Sequence, residues 1–373
     1  MWSHVASAGV SVLKRAVDDG SDGPQGPNTK LPPLAWALIF LVTLLFLPAF
    51  FVTSYTLKQV YPTLAIIENP NPAVYEAVNA DDNDAAPAPA YDGADAAHAG
   101  SDAAATAATS KPVTASFRRT HRVLRAASGW RGSFRGVGLA IIIAVASGVV
   151  SVVFSVLPFV PTFVGSLLTM LALVQLHTAW VHAVIRATPS TLPFRQSLPP
   201  FRRTFEATCV PVFLLWLANG VTALAAFGIA KAVGLPQWRD HVSQPGDLAG
   251  YSAGELIWKT IVVVLVAIVL VFLIVIPANV VLVRVQASLL PADVDTVVPF
   301  DRSFNGTVEP AVVDSRGYVT VRDAFRTFTR ASWKRLLVLY VKAYLVTIVV
   351  DVVYAAILIP IVVFTSKKTT PVV

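Results

Sequence analysis

The sequence predicts an all-α, six-span transmembrane helical bundle, and three observations carry that prediction. Of 373 residues, 55% are hydrophobic and only 14% are charged, with a mean hydropathy of +0.65. That composition is too apolar for an ordinary soluble globule. The apolar residues gather in six long runs, each able at ~1.5 Å per residue to cross a ~30 Å hydrocarbon core. The basic residues collect in alternate loops, so the chain reads as three hairpins with a basic elbow before each even-numbered span.

The net charge of +7 and pI near 9.6 do not point to nucleic acid, because the basic residues flank apolar runs. Anionic lipid headgroups are the expected partner. A single cysteine, Cys209, leaves no internal disulfide and no multi-cysteine zinc site, and the scattered histidines supply no metal cluster. No Walker loop, dinucleotide-binding glycine turn or His-Glu-x-x-His stands in the chain, so neither a cofactor nor an enzyme is expected.

Residues 1–33 read as a flexible tail without the apolar core of a signal peptide. The first span is expected at 34–57, with Pro48 as a kink. Residues 69–110, rich in Ala, Asp, Pro and Gly, read as a disordered acidic linker inside a membrane domain running from 34 to 364. Next comes a surface helix in which Arg118, Arg122 and Arg125 fall at i, i+4 and i+7, beside Phe117 and Leu124. A Gly129-Trp130-Arg131-Gly132-Ser133-Phe134-Arg135-Gly136 elbow then leads into a second span at 137–157. A Pro158-Phe159-Val160-Pro161 turn joins it to a third at 163–185. The fourth and fifth spans are expected at 207–233 and 256–283, the fifth broken late by Pro277. A second interfacial helix at 319–330 sets Arg322, Arg326 and Arg330 against Val321, Phe325 and Phe328. The sixth span covers 336–364, and 365–373 form a C-terminal tail.

Arginine-rich loops one, three and five share one side, so the positive-inside rule turns them to the cytosol or the mitochondrial matrix and both termini away. Trp130, Trp180, Trp238, Trp258 and Trp333 stand near predicted span ends, as interfacial belts do.

Polar residues inside the spans are the candidate site. Gln175, Thr178, His182 and Arg186 form one helical stripe. Asp351 lies near the middle of the sixth span, and Lys342 points to the opposite face of that helix, so its partner must come from another span, with Arg284, His182 and Lys231 as candidates. Either Gln175, Thr178, His182, Arg284 and Asp351 line a central site for a small solute, or they bond helices together. The corresponding functions are a carrier-like solute transporter and a non-transporting scaffold acting through its basic face and acidic linker.

Three helix pairs with basic surface helices resemble the mitochondrial carrier family. Ser128-Gly129 followed by Phe134-Arg135-Gly136 is similar to that family's matrix-helix motif, and Pro277-Ala278-Asn279 with Leu282, Arg284 and Gln286 to its Pro-x-acid signature. Ser128 and Asn279 stand where the family has acids and Leu282 where it has a base, so the family's ion-pair gate cannot form here. The resemblance implies transport across the mitochondrial inner membrane. A wider resemblance is to fungal multi-span membrane proteins sometimes named "ubiquitin carrier protein", which have no established activity. It rests on Tyr61-Pro62-Thr63-Leu64-Ala65, the glycine elbow, Leu173-Val174-Gln175-Leu176-His177-Thr178-Ala179-Trp180 and Leu198-Pro199-Pro200-Phe201-Arg202-Arg203-Thr204-Phe205.

Overall fold

A computed structural model describes residues 33–69, 112–188, 197–235, 252–291, 293–304 and 317–366. The N-terminal tail, nearly all of the acidic linker and most of the C-terminal tail lie outside the described residues. The described chain is helical, its sole extended pairing being an antiparallel bridge between Arg186 and Thr296.

Four helices cross most of the molecule: α1 (Pro33–Ile67), α6 (Phe201–Ala232), α7 (Gly254–Ser288) and α9 (Arg330–Ser366). Between them run α2 (Phe117–Ser128), α3 (Val137–Val156), α4 (Thr162–Ala172), α5 (Val174–Ile185) and the short α8 (Val321–Arg326). Five helices are long and apolar enough to cross a membrane, and the pair α4 and α5, bent by 52°, brings the number to six if it is one span. The third span is therefore broken at Leu173, where a single helix was expected. The second surface helix is also shorter than expected: α8 ends at Arg326, and Arg330 belongs to α9.

The first helix runs ten residues beyond the expected end of its span, which brings Lys58 into the helix and out of the loop. Neither Pro48 nor Pro277 breaks its helix. Two π-helical segments, Val52–Val60 and Val271–Val275, instead stand immediately before Tyr61-Pro62 and Ile276-Pro277. A proline lacks the N–H that would bond the carbonyl four residues back, and its ring crowds that carbonyl. Those carbonyls belong to Lys58 and Leu273, inside the π segments, whose wider turns make the room.

Helices of 32 to 35 residues are about 48–53 Å long, some 20 Å more than a hydrocarbon core requires. The distribution of packing explains the excess. The main buried cluster joins Leu64, Ile66, Leu124, Val184, Val280, Leu336 and Leu339, all at the basic ends of their helices. Each fully buried leucine there contributes roughly 1.5–3 kcal/mol. Toward the other end Leu45, Val145, Leu224, Leu273 and Phe364 are exposed, as lipid-facing residues must be. The molecule thus has a tightly packed basic base and apolar arms rising from it.

The arms pack as neighbours rather than as isolated pairs: α1 lies along α9, α3 beside α4, and α6 against α5 and α7. Thr43 and Tyr354 share a 3.0 Å hydrogen bond near one end of α1 and α9, while Arg335 bonds Ala65 and Glu68 near the other. The first and last helices are therefore antiparallel, and the start of α1 and the end of α9 lie at the same, far end.

Candidate functional site

The base is organised by arginines that close the carboxyl ends of helices. Unsatisfied carbonyls and the partial negative charge of a helix C-terminus attract cations. Arg335 donates to the carbonyls of Ala65 (3.2 Å) and Glu68 (2.9 Å) at the end of α1. Arg135 donates to Arg186 and Ala187 (3.0 Å) just past α5. Arg302 bonds Leu290, Pro291 and Val294 past α7. Burial pushes the Arg302 guanidinium below the usual arginine value, and Asp293 and Asp295 counter that shift. All three are withdrawn from the surface: Arg135 is buried, the Arg335 side chain is 8% exposed, and Arg302 is half-buried.

Glu68, which the sequence alone did not single out, completes the first of these ends. Its carboxylate, 1% exposed, pairs with Arg335 at 3.2 Å and accepts from the Thr114 N–H at 3.1 Å. It also accepts from the Val113 N–H and the Thr114 hydroxyl. One carboxylate so ties α1, the turn before α2, and α9.

The glycine elbow has a packing role. A Cβ on Gly132 would come within 2.1 Å of the Leu124 carbonyl oxygen, and Gly136, at φ +72°, lies against the Trp180 ring. Only glycine permits both. The close fold-back lets Ser133 accept from the Thr56 hydroxyl at 3.1 Å, and Tyr55 donates to the Arg135 carbonyl.

Outside this base lies the exposed charge. Arg118, Arg122 and Arg125 on α2, Arg322 and Arg326 on α8, and Arg330 at the start of α9 are all exposed. Thr120, Leu124, Ala324 and Phe328 turn inward. The amphipathic assignment of α2 agrees with the pattern that its periodicity gave, and Ser116 caps it by accepting from the Arg119 N–H.

The expected solute residues do not meet at one point. Gln175 donates to the Pro199 carbonyl at 2.7 Å, and the Thr178 hydroxyl to Val174 at 2.9 Å. His182 Nε2 lies 2.9 Å from the Gln286 carbonyl, joining α5 to α7. Arg284 donates to the Thr327 hydroxyl at 2.7 Å, with Phe304 and Phe328 against its guanidinium. Asp351 stands along α9 about 32 Å from Arg330 by helical rise. Its charge acts on Lys58 of α1, whose ammonium lies over the Tyr344 ring, and Asp351 forms no ion pair within 4 Å with Arg284, His182, Lys231 or any other of the described residues. Side chains lean toward the N-terminus of their own helix, so on antiparallel α1 and α9 Lys58 and Asp351 lean toward each other. With about 20 Å of the rise from Arg330 taken by the base, Asp351 lies roughly 12 Å into a ~30 Å hydrocarbon core, near its middle.

No family model, no curated protein and no solved structure matches this chain.

Proposed function

We propose that this multi-pass membrane protein is a non-transporting scaffold whose basic base engages anionic lipid headgroups. The observation that carries the reading is the division of its arginines. Arg135, Arg284, Arg302 and Arg335 are committed to partners within the chain, whereas Arg118, Arg122, Arg125, Arg322, Arg326 and Arg330 are exposed around the same base. Each basic residue at an anionic surface contributes about 1 kcal/mol, so six give a salt-sensitive attraction of several kcal/mol. In this reading the base faces the cytosol or matrix, and the far ends of α1 and α9 face away.

The test is reconstitution into vesicles with headgroup-labelled phosphatidylserine and a fluorophore on the base. Energy transfer should exceed that with labelled phosphatidylcholine, fall with salt, and be lost when the six exposed arginines become glutamine. Equal transfer to both lipids would refute the reading.

A second reading, transport, is favoured by the break in the third span. Broken helices often mark transporter sites. Beside this segment the buried Gln286 Nε2 and Arg284 Nε have no hydrogen-bond partner among the described residues. Uptake of labelled anions by the same vesicles, above protein-free controls and lost in Gln286→Leu, would replace the scaffold reading with this one.

A further inference from the structure

The turn between α3 and α4, residues 157–161, differs from the other connection at the far end of the arms. From residue 137 to residue 174 the chain has no charged side chain, whereas Lys231, Arg239, Asp240, Glu255 and Lys259 stand in or beside the connection between α6 and α7. Phe159 is 92% exposed, with Val156 and Phe163 also exposed beside it. We infer that the tip of the α3–α4 hairpin ends inside the bilayer, covered by lipid acyl chains, and does not emerge into water on the far side.

Depth supports this placement. The Trp216 indole donates to the Phe163 carbonyl at 3.1 Å and to the Ser166 hydroxyl at 2.9 Å, and its ring stacks on Phe163. The tip is therefore level with Trp216, roughly midway along α6. From Trp216 to Lys231, the first charged residue toward the far end, α6 rises by about 22 Å through apolar sequence. A tip that far below Lys231 lies within a hydrocarbon core ~30 Å thick.

Several polar groups at the tip are satisfied internally, as lipid demands of a backbone. Pro158 and Pro161 carry no N–H. The Val160 N–H donates to Leu157 at 3.2 Å and the Gly165 N–H to Pro161 at 2.9 Å. The hydroxyls of Ser155, Ser166 and Thr169 all donate to carbonyls within their own helices. An apolar tip of this kind has a complementary partner in acyl chains and none in water.

Single cysteines at Phe159 and, separately, Val160 in a Cys209→Ala background test the inference, with His241→Cys as the far-side control. A membrane-impermeant maleimide supplied to both faces of reconstituted vesicles should label position 241 and fail to label 159 or 160. A bimane at 159 should be quenched more by lipids with a nitroxide deep in the acyl chain than by lipids with a headgroup nitroxide. Labelling of 159 and 160 at the rate of 241, or stronger quenching from the headgroup, would overturn the proposal.

Discussion

Replacing Arg335 with methionine removes one charge from a pair whose side chains are 8% and 1% exposed. The loss leaves the Glu68 carboxylate buried, together with the Ala65 and Glu68 carbonyls that Arg335 serves. Breaking a buried pair on one side costs about 3–5 kcal/mol. Here the lower end applies, because Val113 and Thr114 still donate to the carboxylate. At about 2–4 °C per kcal/mol, Arg335→Met should lower the apparent melting temperature by about 6–12 °C. Glu68→Gln keeps the shape and leaves Arg335 its two carbonyls, so its cost should be about 1–3 kcal/mol. The double variant Glu68→Gln with Arg335→Met removes both charges, and what it leaves unpaired is the two carbonyls that Arg335 served and part of the Val113 and Thr114 donor set. It should therefore be more stable than Arg335→Met alone. Fluorescence-detected size-exclusion after heating in detergent reads all three. A double variant that melts at the sum of the single losses would show that the two residues are not coupled, and the latch would be disproved.

Gly132→Ala should prevent recovery of a monodisperse protein, because the new methyl meets the Leu124 backbone, whereas Gly129→Ala, with open space but φ +63° and ψ −152°, should lose about 1–3 kcal/mol in the same melting assay. Asp351→Asn and Asp351→Leu should both fold, with melting temperatures at or slightly above the parent's, since Asp351 is exposed midway along α9 and forms no ion pair within 4 Å among the described residues. A large loss in either would mean that Asp351 holds a tight partner.

The helices and their amphipathic faces were legible in the sequence because apolar run length and the 3.6-residue period are local signals. The basic face was legible for the same reason, at Arg118, Arg122 and Arg125. What could not be read was which arginines turn inward. Arg135 and Arg330 look alike in sequence, yet one closes a helix end and the other meets solvent, because the difference is made by a carbonyl fifty residues away. Glu68 was hidden because its partner is remote in the chain. Pro48 and Pro277 were read as a kink and a break, whereas the π-helical turns stand before Pro62 and Pro277 and have no sequence signature of their own beyond the proline.

The Glu68–Arg335 tie spans 267 residues of sequence. At about 5–20 residues per second, a ribosome that has made Glu68 takes roughly 15–50 seconds to supply its arginine. Throughout that interval the nascent protein carries a carboxylate without its counter-charge, and α1 has no α9 to lie along. Premature termination anywhere before α9 would make that state permanent. Only a chain that extends through Arg335 can supply the counter-charge of its first helix, and any product that stops earlier keeps that acid unpaired by arginine.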